Sequence, residues 1–165
     1  MSGNDVKIHV DMLAIPEFKK VWDSNKNKDH AFRILSYVIL NNHALSYYVK
    51  TYSANDRKAL LRKDFLVGVN ISDEDLAVVE NAFIAFHDTL LIKLLRKLRG
   101  IVEDFIEDLD AGKIGLKEAV ELGPKAEKLI KSILDLEESV KLEMNKKSSA
   151  KGGYKLGILE QGRKW

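Results

Sequence analysis

The chain of 165 residues has no cysteine. That excludes disulfides, thiolate zinc sites, iron–sulfur clusters and a cysteine nucleophile. Proline is nearly absent: Pro16 and Pro124 are the only two, so long helices can run uninterrupted. No apolar run is long enough to span a bilayer. The longest, residues 89–95, is already broken by Lys93. The first residues, MSGNDVKIHVD, lack the charged start and apolar stretch of a secretion signal. These absences lead to the expectation of a soluble protein made in the cytoplasm, with no membrane partner.

Chemical motifs are missing too. The histidines stand at positions 9, 30, 43 and 87, with no HExxH or EF-hand spacing, so no metal site is expected. His87-Asp88 could serve as a base or ligand, but a lone helical histidine is ordinarily a packing or surface residue. No phosphate-cradling glycine loop precedes a helix, and GxSxG and kinase signatures are absent. Glu103, Asp104, Glu107 and Asp108 read as a solvated helix face. The expectation is a protein that is not an enzyme and carries no cofactor.

What is present is helical periodicity. Val6, Ile8 and Val10 alternate with polar residues, which suggests a short extended arm over residues 1–14. Pro16 suits the first turn of a helix carrying Phe18, Val21 and Trp22. Asp29 can cap a second helix with Ala31, Ile34, Leu35, Val38 and Ile39 on one face. Ser53 to Asp56 resembles a capping box ahead of Leu60, Leu61, Phe65 and Leu66. Gly68 and Asn70 end that helix. Ser72, followed by three acids, is a stronger start.

From Ser72 the helical pattern continues to Asp110, which predicts one helix about 57 Å long at 1.5 Å per residue. Leu76, Val79, Phe83, Phe86 and Leu90 form one stripe. Leu91, Leu94, Leu98, Ile101 and Phe105 form a second, one position out of phase. Gly100 is the expected bend. A helix apolar on two faces has more to cover than its own bundle, so Leu91, Leu94, Leu95 and Leu98 are the expected oligomer contacts. Gly112 and Gly115 predict a turn. A short helix over 116–122 and a restart at Gly123-Pro124 lead to a last helix that frays near Met144.

Residues 145–165 differ from the rest. They hold six basic residues and one acid, Glu160, leaving 21 basic and 24 acidic residues in the other 144. Such a segment cannot bury enough apolar surface to order itself. Tyr154, Leu156 and Ile158 alternate with Lys155, Gly157 and Leu159, the period of an extended strand. This arm is expected to lie along a partner protein, with Tyr154, Leu156, Ile158, Arg163 and Trp165 as its contacts. The fold class that emerges is all-α: a small helical bundle over 15–144 with one long helix, an N-terminal arm and an extended basic C-terminal arm.

Two further patches bear on partners. Lys93, Arg96, Lys97 and Arg99 make a basic band. Tyr47, Tyr48 and Tyr52 lie near Lys50, Arg57, Lys58, Arg62 and Lys63. Aromatic and basic residues together can stack bases and neutralise phosphates, which makes nucleic acid the second choice of partner. Segment 31–65, AFRILSYVILNNHALSYYVKTYSANDRKALLRKDF, resembles a pattern in small virion-associated proteins of tailed phages, including the crAss-like group. The matching residues are Leu35, Tyr37, Ser46, Tyr48, Tyr52, Arg57 and Asp64, with Ile15-Pro16-Glu17-Phe18 ahead of them. It departs at Tyr47, where the family usually has proline. The resemblance implies a virion protein similar to head-to-tail connector (adaptor) proteins. Those are homo-oligomeric rings that insert C-terminal arms into the portal, and nucleic-acid-binding or packaged accessory protein is the alternative.

Overall fold

The computed structural model describes the backbone of residues 10–150 and the side chains of residues 12–146. Over these residues the chain is all-α, without a strand. It forms two compact units, the first ending at His87 and the second beginning at Asp88. The helical region expected over 15–144 spans parts of both units.

The first unit opens with a 3-10 turn, Val10–Ala14. Val10 is thus coiled rather than extended, while Val6 and Ile8 lie outside the described residues. Pro16 starts α1 (Pro16–Ser24) from its first helical position. Helix α2 (Lys28–Asn42) is capped by Asn27, whose side chain accepts from the Asp29 N–H at 3.0 Å. The expected cap, Asp29, is already helical. A capping residue must sit outside the helix with its oxygen turned back to the second or third amide, and here Asn27 holds that place.

Residues 34–42 of α2 are all buried. No amphipathic helix survives such treatment, so α2 is the central post of the unit, packed against α1, α3, α4 and α5. The short α3 (Tyr47–Thr51) has no strong sequence signal beyond its cap. The Ser46 hydroxyl accepts from the Val49 N–H at 3.2 Å and donates to the Leu40 carbonyl at 2.7 Å. Helix α4 (Ala54–Leu61) is capped by Ser53 as the capping-box pattern predicts, and it passes into one π-helical stretch, Arg62–Leu66. Gly68 ends this stretch with a φ of 75°, a left-handed value natural to glycine. Ser72 then caps α5 (Asp73–His87), with the Asp75 N–H 3.0 Å from its hydroxyl. Phe18 stacks on Phe83 with ring centroids 5.8 Å apart at the middle of the core.

The helix expected over 72–110 is two helices. Thr89 is extended (φ −74°, ψ 171°), and its side chain accepts from the Ile92 N–H to cap α6 (Leu90–Asp110). The one-position slip of the apolar pattern near Leu90 is the sequence trace of this break. Phe86 and Leu90, expected on the inner stripe, are exposed beside it. Gly100 lies inside α6 and ends nothing.

Gly112, at φ 68°, makes the turn to α7 (Leu116–Ala150). This helix neither restarts at Gly123-Pro124 nor frays at Met144. It carries Pro124 internally and reaches Ala150, so the arm boundary expected at residue 145 falls within helix. Helices α6 and α7 pack on each other as an antiparallel hairpin. The Thr89 hydroxyl donates to Glu143 at 3.3 Å near one end, and Arg99 meets Glu137 at 2.5 Å further along. On α7 the apolar positions covered wholly or in part between residues 116 and 140 are Ala119, Leu122, Ala126, Leu129, Ile133, Leu136 and Val140. Their alternating steps of three and four make a coiled-coil-like seam.

Candidate interaction surfaces

The tyrosine–arginine segment folds into a polar clamp at one side of the first unit. Asn41 and Asn42, at the end of α2, both donate to the Glu80 carboxylate of α5, at 2.6 and 3.1 Å. The Asn41 carbonyl oxygen accepts from Arg57 of α4 at 3.0 Å, and Arg57 also reaches the Tyr52 carbonyl at 3.4 Å. Arg57 and Asp64, both in the phage-like pattern, thus do not pair with each other; Arg57 binds across to α2. Sequence reasoning missed Asn41, Asn42 and Glu80. The signal was two adjacent amides closing an apolar helix, since buried amides need partners from other elements.

Tyr37 is buried, and its hydroxyl interacts with Arg62, which pairs with Asp73 at 2.7 Å. Burial, reinforced by the charge of Glu80, pushes the Tyr37 phenol above its ordinary value, against the pull of Arg62. Burial does the same to Tyr48, aided by Asp64. Tyr47, Tyr48 and Tyr52 meet as a ring cluster, with centroids 5.9 to 6.3 Å apart. Tyr47 alone of the three is largely open to solvent, at 50 %. Residue 47 is the first of α3, a position that suits proline. The departure from the phage-like pattern therefore falls where either residue fits.

The histidines are brought together from distant positions. The rings of His43 and His87 lie 4.8 Å apart, and His87 stacks on Phe83 at 5.0 Å. Nδ1 of His43 accepts from the Leu45 N–H at 3.3 Å. Among the described residues no three histidine or acidic side chains group to hold a metal ion. Of the acidic set on α6, Asp108 binds Lys113 at 2.7 Å and raises the lysine's affinity for its proton.

The basic band of α6 is partly neutralised within its own unit. Arg96 holds Asp88 through two nitrogens at 3.1 and 3.2 Å, and Arg99 holds Glu137. Lys93 and Lys97 face solvent. The four expected oligomer contacts divide. Leu94 is 44 % exposed, while Leu91 and Leu98 are half-buried. Leu95 is 0 % exposed and belongs to the hairpin's own core. Its place is a matter of angle: Leu95 and Ile92 lie three apart on the inward side, and Leu94 sits about 100° away. Further exposed apolar residues are Leu90, Ile101 and Ile106 on α6, and Leu116, Val120, Ile130, Leu134 and Leu142 on α7. Tyr154, Leu156, Ile158, Arg163 and Trp165 of the expected arm lie outside the described residues.

Comparison with protein-family models, with curated proteins and with solved structures gave no match to this chain. Among the described residues no helix is long and apolar enough to cross a membrane.

Proposed function

We propose that this chain is a structural assembly protein, a homo-oligomeric ring subunit of the head-to-tail connector of a tailed-phage virion. On this reading it is made in the host cytoplasm and docks on the portal through residues 145–165. The observation that carries the assembly part is the α6–α7 hairpin. It covers one seam and leaves Leu90, Leu94 and Ile101 on one helix, and Leu116, Val120, Ile130 and Leu134 on the other, in water. A contiguous exposed apolar stripe is a mark of an interaction surface. The phage part rests on the pattern over residues 31–65 and on the basic arm.

Nucleic-acid binding has less support. Two of the four cations in the α6 band are held by carboxylates, and two of the three clustered tyrosines are largely covered. Multi-phosphate binding needs a clear excess of available cations.

The test is the solution mass of the full chain by light scattering, beside Leu94→Asp. The expected result is a multi-subunit species for the natural chain and a smaller one for the variant, with unchanged helicity. A monomer at every concentration up to the millimolar range removes the ring.

A further inference from the structure

The two uncovered flanks of the hairpin have a geometric relation that decides how copies can meet. On α6, Leu90, Leu94 and Ile101 lie about 150° behind the seam set by Ile92, Leu95 and Arg99, at 100° per residue. On α7, Ile130, Leu134 and Leu116 lie about 95° ahead of the seam set by Ile133 and Val140. In an antiparallel pair, displacements of the same sense share a side and displacements of opposite sense do not. The α6 stripe and the α7 stripe are therefore on opposite sides of the hairpin.

We propose that copies of this chain associate head to tail, the apolar flank of α6 in one copy packing on the apolar flank of α7 in the next. This rests on the assembly reading and specifies its interface. A contact between two different patches is heterologous, and it closes into a ring when the rotation between copies divides a full turn. The alternation of α6 and α7 would then continue around the ring as antiparallel neighbours, each pair at the level already seen within one hairpin. The Thr89–Glu143 and Arg99–Glu137 bonds set that level. It places Ile101 opposite Leu134, Lys97 opposite Glu138 and Asp104 opposite Lys131, and all six are exposed. Apolar residues meet at the centre and opposite charges meet at the rim, as interfaces require. A two-fold pairing of α6 with α6 also brings Lys97 to Asp104. It leaves Ile130 and Leu134 in water, whereas the head-to-tail contact covers both flanks with one kind of interface.

The absence of cysteine makes a direct test available. Ile101→Cys and Leu134→Cys change residues that are 54 % and 58 % exposed, so neither disturbs the core. Each full-length variant, their mixture, and the double variant are treated with a short bis-maleimide and run on a denaturing gel. The native masses are measured in parallel by light scattering. Head-to-tail packing gives no cross-link in either single variant, dimers that stop at two in the mixture, and a ladder of higher species in the double variant. Efficient self-linking of Ile101→Cys overturns the proposal in favour of a two-fold dimer and leaves the assembly reading standing. A link within one chain of the double variant overturns the placement of the flanks. No cross-link in a protein of multi-subunit mass overturns this interface alone, and no cross-link in a monomer overturns both readings.

Discussion

The two units of this chain use similar residues to different ends. The first gathers fifteen buried residues into one cluster, from Ile15 to Phe83, around a helix that is buried on every side from Ile34 to Asn42. The second, with two longer helices, buries only Ile92, Leu95, Ile133 and Val140 among its described residues. The difference is not apolar content, since α6 is rich in leucine and isoleucine. It is the number of neighbours: α2 is ringed by several short elements, while α6 and α7 have chiefly each other. Two helices can cover one stripe each, and a second stripe stays in water until another element arrives. Length in a helix therefore builds reach, and only additional layers build a core. The first unit closes a core of its own, and the second leaves apolar residues exposed along both its helices.

The sharpest way to break this comparison is to cut into the denser core. Phe18→Ala removes a ring that is fully buried against Phe83, and a loss of about 3–5 kcal/mol in folding stability is expected. Denaturant unfolding followed by circular dichroism measures it. A loss under about 1 kcal/mol shows the cluster to be loosely packed.

Within the hairpin, adjacent leucines separate folding from association. Leu95→Ala should lower stability by about 2–4 kcal/mol, because its site is enclosed by the seam. Leu94→Ala should change the unassembled chain's stability by less than about 1 kcal/mol and reduce self-association instead. Denaturant midpoints measured at low protein concentration, with light scattering at high concentration, distinguish the two. Equal effects on stability would erase the division between an inner and an outer face.

The smallest effect concerns alkaline pH. Tyr37 and Tyr48 both have phenols raised above the usual value of about 10. The native state thus holds these protons more tightly than the unfolded chain does. Their contribution is fully present below the unfolded value near pH ~10 and is lost as pH rises through the raised native values. The double variant Tyr37→Phe with Tyr48→Phe should lose less stability between pH 9 and 11 than the natural chain. An identical alkaline slope would show that neither phenol is coupled to folding.

Much of the helical content was legible because caps and periodicity are local. Pro16, Ser53, Ser72 and Gly112 mark the boundaries they suggest. Thr89 was legible in principle, as a hydroxyl before a leucine run at the point where two apolar stripes change phase. Periodicity alone places it in a helix interior, because each stripe by itself fits a continuous helix. Gly123-Pro124 failed in the other direction: a break signal was overridden, and α7 runs through the proline. The clamp of Asn41, Asn42, Arg57 and Glu80 joins residues up to 39 positions apart, and no local pattern carries such a link.

By itself the sequence determined the all-α class, most helix starts, the absence of thiol chemistry and the contrast between an acidic body and a basic end. These follow from residue type and from spacing within one turn, which act through backbone hydrogen bonds and side-chain geometry close by. Tertiary structure decided where one long helix becomes two, which leucine of the pair at 94 and 95 is core, and that His43 meets His87. Each of those depends on which surfaces come together. A helical pattern states how many faces are apolar, and only the packed neighbours settle which of them is covered.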